Sequence, residues 1–186
     1  MITISEEHTA VLEDNNTCYL NGDINAEIID YAVRFMLEKH FQKDKPDHLN
    51  LIINTFGGEV NQCFALIDIM NSISIPVHTY AVGQIYSCGI ILFAAGTKGH
   101  RYLFPHCSIM AHQWSCTQDG KKDEIEARDK ENKLVTKRIM DHFVKCSGKK
   151  KSEVEELFFP RVERYFTSQE AIKSGIADSI VQNFNQ

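Results

Sequence analysis

The run LNLIINT at residues 49–55 suits a β-strand covered on both faces. It is followed at once by the glycine turn FGGEV and then by CFALIDIMNSI, an apolar run of helical length. A strand that feeds through a glycine turn into a helix is the crossover unit of a parallel sheet, because parallel strands need a long connection between them. Other stretches of the chain repeat this alternation. TCYLNGDI reads as a strand ending in a glycine-containing turn, and AEIIDYAVRFMLEKHF after it sets Ile28, Ile29, Ala32, Val33, Phe35 and Met36 at helical spacing. TISE near the start, VHTYAVG after Pro76, KGHRYLF and SIMAHQ read as further short strands. A long helix is predicted from about residue 122 to 145, closed by Gly148, and KKKSEVEELFF begins another. Near the end, Thr167 or Ser168 is placed to cap a short helix that stops at Gly175, and IADSIVQ is a last strand. Strands alternating with helices predict the α/β fold class, and 186 residues suit one domain, 1–186.

The long helix is polar in its first half. From Asp123 to Lys133 only Ile125 and Ala127 are apolar, whereas Leu134, Val135, Ile139, Met140, Phe143 and Val144 recur at packing intervals. The front of this helix is therefore expected to project from the core, as a solvated arm or as a contact with another subunit.

A net charge of −5 gives no electrostatic reason to expect nucleic acid or an anionic membrane. No apolar run approaches the ~18 residues that span a bilayer, and the first residues lack a signal peptide's basic start and apolar core, so a cytoplasmic location is expected. Six cysteines (Cys18, Cys63, Cys88, Cys107, Cys116 and Cys146) show no C-x-x-C spacing, so reduced thiols are expected rather than disulfides or a metal site.

The segment GQIYSCGIILFAAG at residues 83–96 places one hydroxyl, Ser87, where a strand runs into an apolar helix. Serine becomes a nucleophile when a base takes its proton and backbone N–H groups await the oxyanion, and a first helical turn supplies such groups. Ser87 has that position, with the Cys88 amide following it. The alternatives are that Ser87 only caps the helix, or that Cys88 is the nucleophile; the spacing does not fit the G-x-S-x-G elbow. Among eight histidines, His112 in SIMAHQW stands at the end of a short apolar run, where a strand terminus aims a side chain into a cleft. A structural histidine is the competing reading. Composition alone does not select an orienting acid among 25 carboxylates.

Taken together and in order, YLNGDI, LIINTFGGEV, VGQIYSCGIILFAAGTKGHRYLFP, SIMAHQW, the long helix behind Gly120 and YFTSQEAIKSGIADSI resemble the proteolytic subunit of the Clp protease over residues 18–181. The separation of Ser87 and His112 (112 − 87 = 25) is the one that family uses. The resemblance implies a crotonase-like core of stacked short strands with helical crossovers, plus a protruding strand-helix handle at about residues 113–145. It implies a self-compartmentalising serine endopeptidase acting on unfolded polypeptides or peptides inside two stacked heptameric rings, without metal or other cofactor. An AAA+ ATPase unfoldase is the implied partner. Residue by residue it implies Ser87 as nucleophile, His112 as general base, and Gly57 or Gly58 with Cys88 as oxyanion donors. Glu163 falls where the family carries aspartate, with about two residues inserted after Gly148. Thr55-Phe56-Gly57-Gly58 stands where the family has S-P-G-G. About 17 residues precede Cys18, with no recognisable helix among them, where the family has a longer pore-lining segment. Competing readings are a non-catalytic ring or scaffold subunit of this family, a crotonase-type acyl-CoA enzyme, and a serine-lysine relative for which no lysine is comparably placed.

Overall fold

Seven strands and seven helices alternate along the described residues, 6–114 and 120–184, of the computed structural model. They run α1 (Glu6–Asp14), β1 (Thr17–Asn21), α2 (Ala26–Phe41), β2 (Leu49–Thr55), α3 (Val60–Ser72), β3 (Val77–Tyr86), α4 (Cys88–Ala94), β4 (Arg101–Leu103), β5 (Ser108–Ala111), α5 (Lys122–Ser147), α6 (Lys151–Phe158), β6 (Arg164–Phe166), α7 (Ser168–Lys173) and β7 (Ser179–Ile180). The strands form one sheet in the order β1-β2-β3-β4-β7, all parallel, and β5 pairs separately with the far end of β3. Only β6, against β5, is antiparallel. This is the expected α/β architecture.

Helices α2, α3 and α4 pack over one face of the sheet, where Leu49, Leu51 and Ile53 of β2 meet Ala32, Met36, Leu66 and Phe93 without exposure to solvent. The opposite face differs from the sequence expectation. Residues of β2 alternate between buried and half-buried, because Asn50, Ile52 and Asn54 point to the opposite face, whose buried cluster holds no helical residue among the described residues. There Tyr80, Tyr102 and Val181 form a smaller cluster with Ile52 and Phe104. The continuous run of LNLIINT hid this because isoleucine at 52 serves either environment.

The start of the chain also departs from the reading above. Glu6 of TISE begins α1 rather than ending a strand, and its first three residues lie outside the described residues. A helix thus precedes Cys18; it is only nine residues long and its apolar residues, Ala10, Val11 and Leu12, are consecutive, so no helical spacing shows in the sequence. The front of α5 is exposed from residue 121 to 131, as expected, and the helix first buries a side chain at Val135. Gly148 in the left-handed conformation (φ 72°) ends it. Of the predicted handle strand, residues 115–119 lie outside the described residues. No helix among the described residues is long and apolar enough to cross a membrane.

One buried histidine couples this fold to pH. His142 of α5 donates from Nε2 to the Ile91 carbonyl of α4 at 2.8 Å, and burial pushes its pKa from 6.5 down to about 4. Below pH 6.5 the unfolded chain therefore takes up a proton that the folded chain refuses, and stability falls until the folded state is protonated near pH 4. His78, stacked between His48 and His100 and also held to about 4 by partial burial, adds in the same direction, although water screens part of its effect. Unfolding free energies from urea titrations are expected to fall between pH 6.5 and 4, by up to about 1.4 kcal/mol per pH unit for a single buried histidine, with a shallower slope in His142→Gln.

Candidate active site

The site is built around a bulge in the longest strand. β2 and β3 pair at Ile53 with Ala81 and again at Thr55 with Ile85, so β3 carries two extra residues between these points. Gly83 takes up the irregularity at φ 62°, where a Cβ would lie 2.6 Å from Asn54 Oδ1, the oxygen that accepts the Gln84 N–H. The bulge separates the stretch of β3 that pairs with β4 from the end that pairs with β5, Gln84 with Ser108 through Tyr86 with Met110.

Ser87 follows directly and adopts φ 54°, ψ −120°, a conformation that costs a non-glycine residue on the order of 1–3 kcal/mol. Its N–H donates to Met110 and its carbonyl accepts from Ile90, so both sides of the strained residue are tied. The hydroxyl makes no capping bond to α4, which removes the reading of Ser87 as a simple helix cap. Extending the β3–β5 pairing one residue sets Ser87 beside Ala111 and leaves His112 one step further on, which is the structural origin of their spacing.

Ser87 and His112 line the same pocket. Its remaining walls are mostly apolar, with Ile90, Ile91, Trp114, Ile139, Phe143 and Phe159 among them. The chain beyond His112 is anchored by Gln113 Nε2 donating to the Phe159 carbonyl and Trp114 Nε1 donating to Thr136 Oγ1. No hydrogen bond joins Ser87 to His112 among the described residues.

Glu163 comes from the antiparallel partner. Ile109 pairs with Phe166, Met110 with Tyr165 and Ala111 with Arg164, and one further step, beyond the end of both strands, would set Glu163 opposite His112. Residues so opposed share a face, with Cβ atoms roughly 4.5–5.5 Å apart. The Glu163 carboxylate is exposed and accepts a hydrogen bond from Tyr165 Oη at 3.0 Å, and that bond pushes the Tyr165 pKa up. No hydrogen bond links it to His112 among the described residues.

The glycine pair lies against the serine. A Cβ on Gly57 (φ 107°) would come within 2.7 Å of Ser87 Cβ and 2.9 Å of the Tyr86 carbonyl. The two glycine amides are not equivalent. Gly57 N–H donates to Oγ1 of the buried Thr55 at 3.0 Å, whereas Gly58 N–H meets no acceptor among the described residues. The Gly57 carbonyl accepts from Ile24 N–H at 2.7 Å, and in a trans peptide this turns the Gly58 N–H to the opposite side. The Cys88 N–H, first in α4, is also without an acceptor among the described residues. Gly58 and Cys88, rather than Gly57, thus carry the amides left open beside Ser87.

Cys88 itself is unsuited to nucleophilic attack, since burial raises its thiol pKa and favours the thiol over the thiolate. Cys18, Cys63, Cys107 and Cys146 are likewise free thiols held above the ordinary range by burial. Among the described residues no group of His, Cys, Asp and Glu side chains is arranged to hold a metal ion. Sequence patterns did not single out Thr55, Ile24 or Tyr165. Only Tyr165 left a signal, two residues beyond Glu163 and so on the same strand face.

A model of the Clp protease family matches residues 4–184, nearly the whole 186-residue chain.

Proposed function

Because the chain belongs to the Clp protease family of peptidases, we propose that it hydrolyses peptide bonds with Ser87 as nucleophile. The supporting observation is the strained Ser87, whose hydroxyl does not cap α4 and reaches only its neighbour Cys88 among the described residues, lining one pocket with His112 beside two open backbone amides. In this reading His112 takes the Ser87 proton as Oγ attacks the peptide carbonyl. Gly58 and Cys88 N–H groups receive the oxyanion, and His112 then returns the proton to the leaving amine. Water, deprotonated by His112, cleaves the acyl-enzyme in turn. Glu163, set opposite His112 by one further step of the strand register, orients the imidazole once its side chain leaves Tyr165, by rotation about a surface side chain. No metal or other cofactor takes part in these steps.

The apolar side chains around Ser87 and His112 favour an apolar side chain on the residue before the cleaved bond, and the cavity of about 20 Å³ between them must widen to admit it. The polar front of α5, with Ile125 and Leu134 exposed, serves contact between copies, consistent with a ring assembly that encloses the sites. Unfolded polypeptide is the substrate class, and an AAA+ unfoldase is the partner that would deliver it. The test is hydrolysis of short fluorogenic peptides by the assembled chain. Peptides with leucine or methionine before the reporter are expected to be cut at least tenfold better than those with aspartate. Absence of hydrolysis across such a panel overturns the proposal.

A further inference from the structure

We infer that the Cys88 thiol is a positioning residue that sets the distance between the two oxyanion amides, an inference that rests on the serine-peptidase reading. Its Sγ–H donates to the Gly58 carbonyl at 3.1 Å. The bond therefore runs from the residue supplying one open amide to the residue supplying the other. Among the described residues, the other bonds of this loop run to the Thr55 hydroxyl and to Ile24. Ile24 N–H bonds the Gly57 carbonyl, and the Ile24 carbonyl accepts from Glu59 N–H at 2.8 Å. These contacts fix the glycine loop to the segment before α2, not to Ser87. The thiol supplies the missing tie across the site.

A second thiol supports this arrangement. Cys63 Sγ of α3 donates to the Cys88 carbonyl at 3.5 Å, so α3, the first residue of α4 and the glycine loop are joined in series. Cys63 has no exposed surface and Cys88 is 2% exposed, and burial raises both pKa values. Both groups thus stay protonated, as donors must, and are shielded from oxidants. Phe56 places no proline-type restraint on φ in this loop, so a side-chain bond to Gly58 has a position to fix. A preorganised oxyanion hole acts through amides already in place when charge develops, so loosening one of them should lower kcat more than it raises KM.

The experiment compares Cys88→Ala and Cys88→Ser on a short peptide substrate, together with amide exchange across residues 55–60. Cys88→Ala is expected to lose about tenfold in kcat with KM changed less than twofold, while Cys88→Ser, which restores a donor, stays within threefold of wild type. Exchange at Glu59, whose N–H bonds the Ile24 carbonyl, should accelerate in Cys88→Ala and not in Cys88→Ser. Wild-type kcat in Cys88→Ala, or equal losses in both variants, overturns the inference, the second result indicating packing alone. Should Cys88→Ala not fold, the retention of kcat and of amide protection in Cys88→Ser decides. An inactive wild type would overturn the peptidase reading and the catalytic purpose of the thiol with it. The exchange data would separate that outcome from failure of the clamp, which appears as unchanged protection in Cys88→Ala of an active enzyme.

Discussion

Replacing Ser87 with alanine is expected to reduce peptide hydrolysis by about 10⁶-fold in kcat, and His112→Ala by a similar factor, because residues that act as one unit lose nearly everything together. The neighbouring thiol offers no substitute. Cys88 is buried, is held as the neutral thiol and is directed at the Gly58 carbonyl. The double variant Ser87→Ala, His112→Ala should be no slower than either single one, which distinguishes a coupled pair from two independent contributions. Glu163→Gln is expected to cost less, about 10⁴-fold, since the acid orients and stabilises the imidazole without touching the reacting atoms. Steady-state rates on one fluorogenic peptide, with circular dichroism to confirm folding, check the series. Independent losses at Ser87 and His112 would mean that the shared pocket does not make them partners.

The second large effect concerns a backbone. A Cβ at Gly58 would lie 2.2 Å from the Ile24 carbonyl oxygen and 2.8 Å from the Ile24 nitrogen, at a φ of +145° that L side chains rarely adopt. These neighbours are main-chain atoms that form the bridge between residues 24 and 58, and Ile24 is buried. They have no flexible side chain to move aside, so the loop itself must shift and carry its open amide away from Ser87. Gly58→Ala is expected to lose about 10²–10³-fold in kcat, the usual cost of an oxyanion donor, and to melt at lower temperature. Gly99→Ala is the matched control. It also has a positive φ (92°), yet a Cβ there meets nothing within 4 Å, so backbone strain should lower stability while the rate stays unchanged. Equal rates in Gly58→Ala and wild type would exclude that amide from the reaction.

The parallel α/β class was legible because the strand, glycine turn and helix unit is written in local patterns. Ser87 was legible as a position, at a strand-to-helix junction, but not as a conformation. Its positive φ depends on hydrogen bonds to Met110 and Ile90, and the first of these crosses to another strand. The proposed pairing of Glu163 with His112 was carried by resemblance alone, since β5 and β6, whose register runs toward these two residues, are separated in sequence by α5 and α6. The distinction between Gly57 and Gly58 was not legible at all, because it turns on which amide meets the Thr55 hydroxyl. The helix α1 escaped notice because it is short and its three apolar residues are consecutive, and the half-covered face of β2 because isoleucine and leucine read alike from sequence whether half or wholly covered.

The most direct measurement is labelling of the assembled, folded chain with a fluorophosphonate, followed by mass spectrometry of its peptides. One adduct, on Ser87, is expected, absent in Ser87→Ala and formed far more slowly in His112→Ala. An assembled chain that takes up no label, or takes it up at another residue with Ser87 unmodified, would contradict the assignment of Ser87 as an activated nucleophile.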